Sequence, residues 1–288
     1  GAFTNAVDPA NPAAGPVNNY PRTPITGDVW KHWSNAVPSY SRETHALTVQ
    51  YSTALTDDVQ LVSITNGLKM SKDYLEDSGG GWGYFPYNTV NDYHQWSQEL
   101  RLSGGAGHAT RWQVGAYHLE MKTDTFQSVA GALILGGTSD AQKLSTYGNL
   151  DARNTSFFGQ VEHDFAPGWT VIGGLRWSVD DKSLDMWRVY EDPTNNIAPA
   201  EVFNLASVNI PGINRIHYAD YAARLQVNYH PAEDTLLFAA YNRGIKGGNW
   251  SLDPLGAVAV ENLKHRPEKL NSYELGLKSE WWQRSEEH

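Results

Sequence analysis

The chain has 288 residues, a formal net charge of −10, 26 glycines, 11 tryptophans and no cysteine. The missing cysteines exclude a disulfide framework, a Cys-based zinc site and a thiol nucleophile, and an acidic chain without a basic patch lacks a nucleic-acid footprint. No apolar run reaches the ~20 residues of a membrane helix, and the most apolar stretch, Val129 to Leu135, is far too short.

Residues 1–42 are rich in Pro, Asn and Ala and read as loop. The opening GAFTNAVDPANPAAGP has neither the charged start nor the apolar core of a signal peptide. We therefore divide the chain into a loop-like or extended segment, residues 1–43, and a β-rich segment, residues 44–288. His45 to Thr53 alternates, with Leu47, Val49 and Tyr51 on one face. Val59 to Met70 is less clean, because Val62, Ile64 and Leu68 share a phase with Gln60 and Asn66. A long connection, Ser71 to Asp92, carries GGGWGYFPYN. In Tyr93 to Ser103, Trp96, Leu100 and Leu102 oppose Glu99 and Arg101. Arg111 to Asp124 is a strand with apolar residues on both faces, and a long loop to Ala152 follows.

The next hairpin has the clearest pattern. Asn154 to Phe165 leads through Ala166-Pro167-Gly168 into Trp169 to Lys182. Trp169, Val171, Gly173, Leu175, Trp177 and Val179 point one way, while Thr170, Ile172, Gly174, Arg176, Ser178 and Asp180 point the other, polar or small apart from Ile172. A period of two marks a strand with different solvents on its two faces. An excursion broken by Pro193, Pro199 and Pro211 then leads to Ile216–His230, Thr235–Ile245 and, after a glycine-rich loop, Leu270–Trp282.

This gives nine strands whose connections alternate short and long. Short ones centre on Asp57, Gly105, Pro167 and Pro231, and long ones near Gly80, Gly137, Asn195 and Leu255. Sorting of tight turns and long loops onto opposite ends is the habit of an outer-membrane barrel, with short periplasmic turns and long extracellular loops. Phe165, Trp169, Tyr229, Trp281 and Trp282 fall near the turns and match an interfacial girdle. The fold expected is all-β: an antiparallel up-and-down transmembrane β-barrel segment.

Two stretches carry a family resemblance. LQVNYHPAEDTLLFAAYNRGIKGGNW begins at Leu225, and RPEKLNSYELGLKSEWW follows. With SQELRLSG, RWQVGAYH, FFGQVEHDF and GGLRWSVDDK before them, they resemble the barrel of TonB-dependent outer-membrane receptors. The resemblance spans about Leu47 to Trp282 and implies a transporter of the Gram-negative outer membrane, not an enzyme. It implies uptake of a scarce solute such as a ferric siderophore, energised by the TonB complex through a plug. No plug or closing C-terminal strands are visible here. Nine strands against the ~22 of such a barrel read as an internal segment.

Little in the sequence suggests covalent chemistry. Glu162 and Asp164 share a strand face, as a glycosidase pair would, but ordinary charges on a polar lumen wall do the same. The ten histidines show no metal-ligand spacing, and no cofactor is expected. Binding is the better reading. Trp82, Tyr84 and Tyr87 lie in an extracellular-type loop, and Arg243, Lys246 and Trp250 lie at another strand's outer end. Aromatics and cations there suit a ferric chelate or another anionic solute. Expected partners are outer-membrane lipid, lipopolysaccharide, the solute and, through the plug, TonB. The alternatives are a passive porin-like channel segment and a soluble all-β carbohydrate-binding or hydrolytic domain.

Overall fold

The structure, a computed structural model, describes residues 36–78, 85–135, 139–252, 258–281 and 284–287. The strands are β1 (Ser39–Ala54), β2 (Val59–Asp77), β3 (Pro86–Gly104), β4 (Thr110–Ala130), β5 (Lys143–Ala166), β6 (Trp169–Asp192) and β7 (Ile197–Asn204). They continue with β8 (Arg215–Ala232), β9 (Thr235–Lys246), β10 (Asn249–Trp250), β11 (Lys264–His265), β12 (Glu268–Trp281) and β13 (Arg284–Glu287). One antiparallel sheet runs β1-β2-β3-β4-β5-β6-β8-β9-β12-β13, with β7 paired to β6 beside this path. The up-and-down wall expected from the sequence is thus present. Among the described residues β1 and β13 are its two edges. The segment expected as loop over residues 1–43 lies mostly outside the described residues, and β1 begins at Ser39.

Register shows why the strands alternate. The row Val171–Val227–Ala239–Leu275 crosses β6, β8, β9 and β12 on one face. That outward face stays bare: Leu175 is 56 % and Leu225 54 % exposed. On the other face Ser156, Ile172 and Ser178 are buried. A wall that exposes its apolar side chains and covers its polar ones suits hydrocarbon outside and a polar lumen inside. At the short-turn end Phe165, Trp169 and Tyr229 form one aromatic level, with Trp169 stacked on Tyr229 at 4.3 Å. Trp177 and Tyr221, paired in register, mark the other, while Tyr241 and Tyr273, with rings 5.1 Å apart, stand in the row of Leu225 within the belt. Eight residues separate Trp169 from Trp177. At ~3.3 Å per residue and a ~40° tilt, these cross about 20 Å, close to the ~25 Å band of such barrels. The side chain of Trp281 and all of Trp282, expected in the first girdle, lie outside the described residues.

β2 and β4 needed the register to settle their phases. Val62, Ile64 and Leu68 face inward, while Leu61, Ser63, Thr65 and Gly67 face out. In β4, Trp112, Val114 and Ala116 face out. The strands also run further than alternation suggests. β5 begins at Lys143 and β6 ends at Asp192, each 24 residues long. Only ~9–11 residues cross a membrane, so the outer parts stand beyond the lipid, with the infolded segment covering part of one face. There the chain has no reason to alternate, and the sequence reads as loop.

The short turns lock to one another. Gly168 adopts φ +76, a conformation open to glycine, and its carbonyl accepts from His230 N–H at 2.8 Å. Gly105 N–H donates to the Asp58 side chain at 3.0 Å, and Glu280 N–H to Asp234 O at 2.9 Å. The rim at this end is therefore laced laterally as well as through the ladder.

Substitution of Leu225, midway between Tyr221 and Tyr229 on the outward face, tests the assignment of faces. In the full-length receptor Leu225→Arg should lower stability in vesicles by about 2–4 kcal/mol. Inward-facing Gln160→Lys, beside Glu162, should change it by less than about 1 kcal/mol. Denaturant unfolding from lipid vesicles reads both.

Candidate functional site

Above the outer aromatic level the inward face meets a segment that folds into the mouth. After Lys246 the chain turns in at Gly247 and Gly248. A Cβ on Gly247 would lie 2.7 Å from the Tyr218 hydroxyl and 3.1 Å from an Asp180 carboxylate oxygen. Glycine therefore permits this approach, and Lys182 Nζ donates to Gly248 O at 2.8 Å. Beyond it, Trp250 is buried with Leu184, Met186, Leu205, Ile213, Ile216 and Leu263, and its Nε1 donates to Ile213 O at 2.6 Å. The short β10–β11 pair completes the infolded segment.

A chain of polar side chains runs up the wall beneath it. Arg176 lies over the rings of Tyr117 and Phe158, 5.4 and 5.9 Å from their centres. Its Nη2 donates to Ser156 Oγ at 2.8 Å, Ser156 donates to Asn154, and Asn154 donates to Asp180, the last two at 2.7 Å. Burial first, and then the hydrogen bond to Asp180, raise the Tyr218 phenol above its ordinary pKa.

Across the mouth, the outer ends of β1, β2 and β3 bring a second group together. Tyr40 meets Tyr74 edge-on at 6.2 Å, and Lys72 Nζ lies 5.3 Å from the Tyr74 ring centre. Tyr87 pairs in register with Glu76 on the same inner face. The Tyr74 hydroxyl donates to Glu76, and burial raises the Tyr87 phenol.

The six binding residues expected from the sequence do not form one site. Tyr87 faces inward at the mouth. Trp82 and Tyr84, a few residues earlier on the same connection, lie outside the described residues. Trp250 is a buried anchor. Lys246 is exposed and pairs with Glu268 at 3.1 Å. Arg243 is 11 % exposed. Its Nη2 donates to Asp220 Oδ1 at 2.9 Å, its guanidinium covers the Tyr221 ring at 3.9 Å, and Lys269 holds the other Asp220 oxygen at 2.9 Å. This clasp sits where β9 leaves β8: their register ends at Ala223–Arg243, and β9 continues against β12 alone. The sequence missed Lys72, Tyr74, Arg176 and Tyr218. Strand phase carries the only signal for them, and it is weak where both faces are wet.

Glu162 and Asp164 both accept from Arg111, at 2.7 Å each, so neither is a free acid or nucleophile. Among the described residues no group of three or more His, Asp or Glu is placed to hold a metal ion.

A wall with an apolar belt, two aromatic levels, a polar inner face and an infolded loop defines an outer-membrane β-barrel. The profile of the TonB dependent receptor-like β-barrel matches residues 1–286, and the chain belongs to that family. It is a family of receptors and transporters of the Gram-negative outer membrane, not of enzymes. The fold is similar to that of the ferric yersiniabactin uptake receptor of Yersinia pestis, with TM-score 0.68 and 17 % identity over 85 % of this chain and 34 % of that one. The siderophore receptor PiuA of Acinetobacter baumannii gives 0.57 and 15 %, over 86 % and 39 %. The ferric preacinetobactin receptor of the same organism gives 0.58 and 14 %, over 84 % and 36 %. The chain thus spans between a third and two fifths of these three receptors.

If the infolded segment hangs on Trp250, then Trp250→Ala should release it at a local loss of about 3–5 kcal/mol. Gly247→Val should do the same by collision with Tyr218. Faster protease cleavage between residues 247 and 267, on cells carrying the full-length receptor, is the expected readout.

Proposed function

We propose that this chain forms part of the wall and mouth of a receptor that takes up a ferric siderophore through the outer membrane, energised through TonB. The observation that supports it best is the inner-face group Lys72, Tyr74 and Tyr87 at the long-loop end. Trp82 and Tyr84 precede Tyr87 closely in the sequence. Phenol rings and an ammonium suit a bulky anionic chelate, which stacks on the rings and pairs with the cation. The neighbouring solved receptors act on such chelates, and the family implies the TonB coupling. Arg243, Lys246 and Trp250 serve the frame in this reading: clasp, surface pair and loop anchor.

Uptake of iron-55 chelates by cells expressing the full-length receptor tests this. Lys72→Ala with Tyr87→Ala should weaken chelate binding about tenfold or more, an effect of about 1.4 kcal/mol. Loss of TonB should abolish accumulation and leave surface binding intact. Accumulation that survives loss of TonB would instead indicate a passive channel. Unchanged binding in the double variant would move the site elsewhere on the mouth.

A further inference from the structure

Two arginines stand on the inward face of the wall within the height of the belt. Arg176 adjoins Trp177 of the outer aromatic level, and Arg224 adjoins Leu225. In register Arg176 pairs with Ala222 and Arg224 with Gly174, so the two are diagonal neighbours on β6 and β8, ~7–8 Å apart. Their side chains diverge. Arg176 donates to Ser156 and Ser178, toward the long-loop end, and Arg224 donates to Gln226, toward the short turns. Among the described residues these three are their only acceptors, and all are uncharged.

Other guanidiniums of the wall are matched. Arg101, Arg111 and Arg243 each have a carboxylate of this chain, at 3.8, 2.7 and 2.9 Å. The carboxylates that face the two arginines from neighbouring rows have donors of their own. Asp180 accepts from Asn154, Asp220 is held by Arg243 and Lys269, Glu162 by Arg111, and Glu274 accepts from Ser272. The row of Arg224 offers only Gln113, Gln160, Gly174 and Asn242 from β4 to β9. Gly174 and Ala222 leave the wall recessed between the two guanidiniums. The rings of Tyr117 and Phe158 hold Arg176 in place without neutralising it. A guanidinium keeps its charge, and low-dielectric walls around a lumen focus its field.

We propose that Arg176 and Arg224 form a transit site for the anionic chelate, a step on the lumen wall between the mouth and the short-turn end. Passage needs sites that bind well enough to admit the solute and weakly enough to release it. Two spaced cations set among amides meet that need. Where the wall requires a fixed ion pair it supplies both partners, as at Arg111, and here it supplies one. The inference rests on the uptake of an anionic chelate proposed above. A carboxylate fixed within the lumen is the competing occupant.

The test uses cells carrying the full-length receptor and an iron-55 chelate, with surface binding read without TonB and uptake read with it. Arg176→Gln/Arg224→Gln should bind at the surface within about twofold of the unaltered receptor and take the chelate up about tenfold more slowly. Arg224→Gln alone, at an exposed side chain, should slow uptake about threefold, and Arg176→Lys/Arg224→Lys should keep it within about twofold. Heat-modifiable gel mobility checks that each variant is a folded barrel. Uptake at the unaltered rate in the double glutamine variant would overturn the proposal. So would an equal loss of surface binding, which would assign the arginines to the mouth. A gain in sensitivity to vancomycin, an antibiotic too large for a closed lumen, would also overturn it, by showing that the arginines hold a lumen-filling domain in place. A second measurement does not depend on the chelate. With the full-length receptor in a planar bilayer and its lumen opened by urea, the double glutamine variant should shift the reversal potential in a salt gradient toward that of cations. An unchanged potential would overturn the transit site. Absence of chelate binding by the unaltered receptor would instead refute the proposed function, and the potential would still decide the site.

Discussion

A strand that crosses hydrocarbon has no water for its amides, so each must bond to the next strand. The wall follows from that constraint. It fixes the antiparallel ladder from β1 to β13, and with the ladder the register that sets which side chains share a face. The hydrophobic effect then works in reverse of a soluble core. Leu175, Trp177 and Leu225 face outward because lipid is the apolar phase. Ser156 and Ser178 are buried because side chains such as Arg176 cover them from the lumen.

The constraint ends where the membrane ends, and the legibility of the sequence ends with it. Nine strands could be read because their crossing parts keep the period of two, most clearly from Trp169 to Val179. Lys143 to Arg153 and Ser183 to Asp192 are equally regular in backbone. They carry no apolar–polar alternation, because beyond the lipid no face has to be apolar: Leu144, Ser145 and Thr146 are all buried, and so are Met186 and Arg188, so they read as loops. β4 was ambiguous for a different reason: Tyr117 lies inward under Arg176, so aromatic groups occupy both faces.

The candidate site was less legible than the wall. Residue type pointed to Arg243 and Trp250 as binding groups, since a cation and an indole at a strand's outer end suit a chelate. Burial and register assign them elsewhere. Arg243 falls in the outward phase and meets Asp220, and Trp250 fills an apolar pocket under the infolded segment. A loop tryptophan's burial depends on what lies opposite it in space. Here that is Leu184, Met186 and Ile216, from two other strands. Tyr87 needed no such knowledge, because it lies on a strand whose inner phase can be counted.

The clasp at Asp220 gives the wall a mechanical seam. Elsewhere, a tug between adjacent strands is shared by a row of backbone bonds that must break together. Beyond Ala223 and Arg243 the row between β8 and β9 is gone, and a carboxylate held by a guanidinium and an ammonium joins the two strands at that point. Ionic contacts of this kind part and re-form without unzipping a ladder. The last stretch of chain in β9, Gly244 to Lys246, thus meets β8 through a charge and not a ladder, while the opposite rim is tied turn to turn. Strain that enters at the mouth would be spent at this seam before it reached the belt.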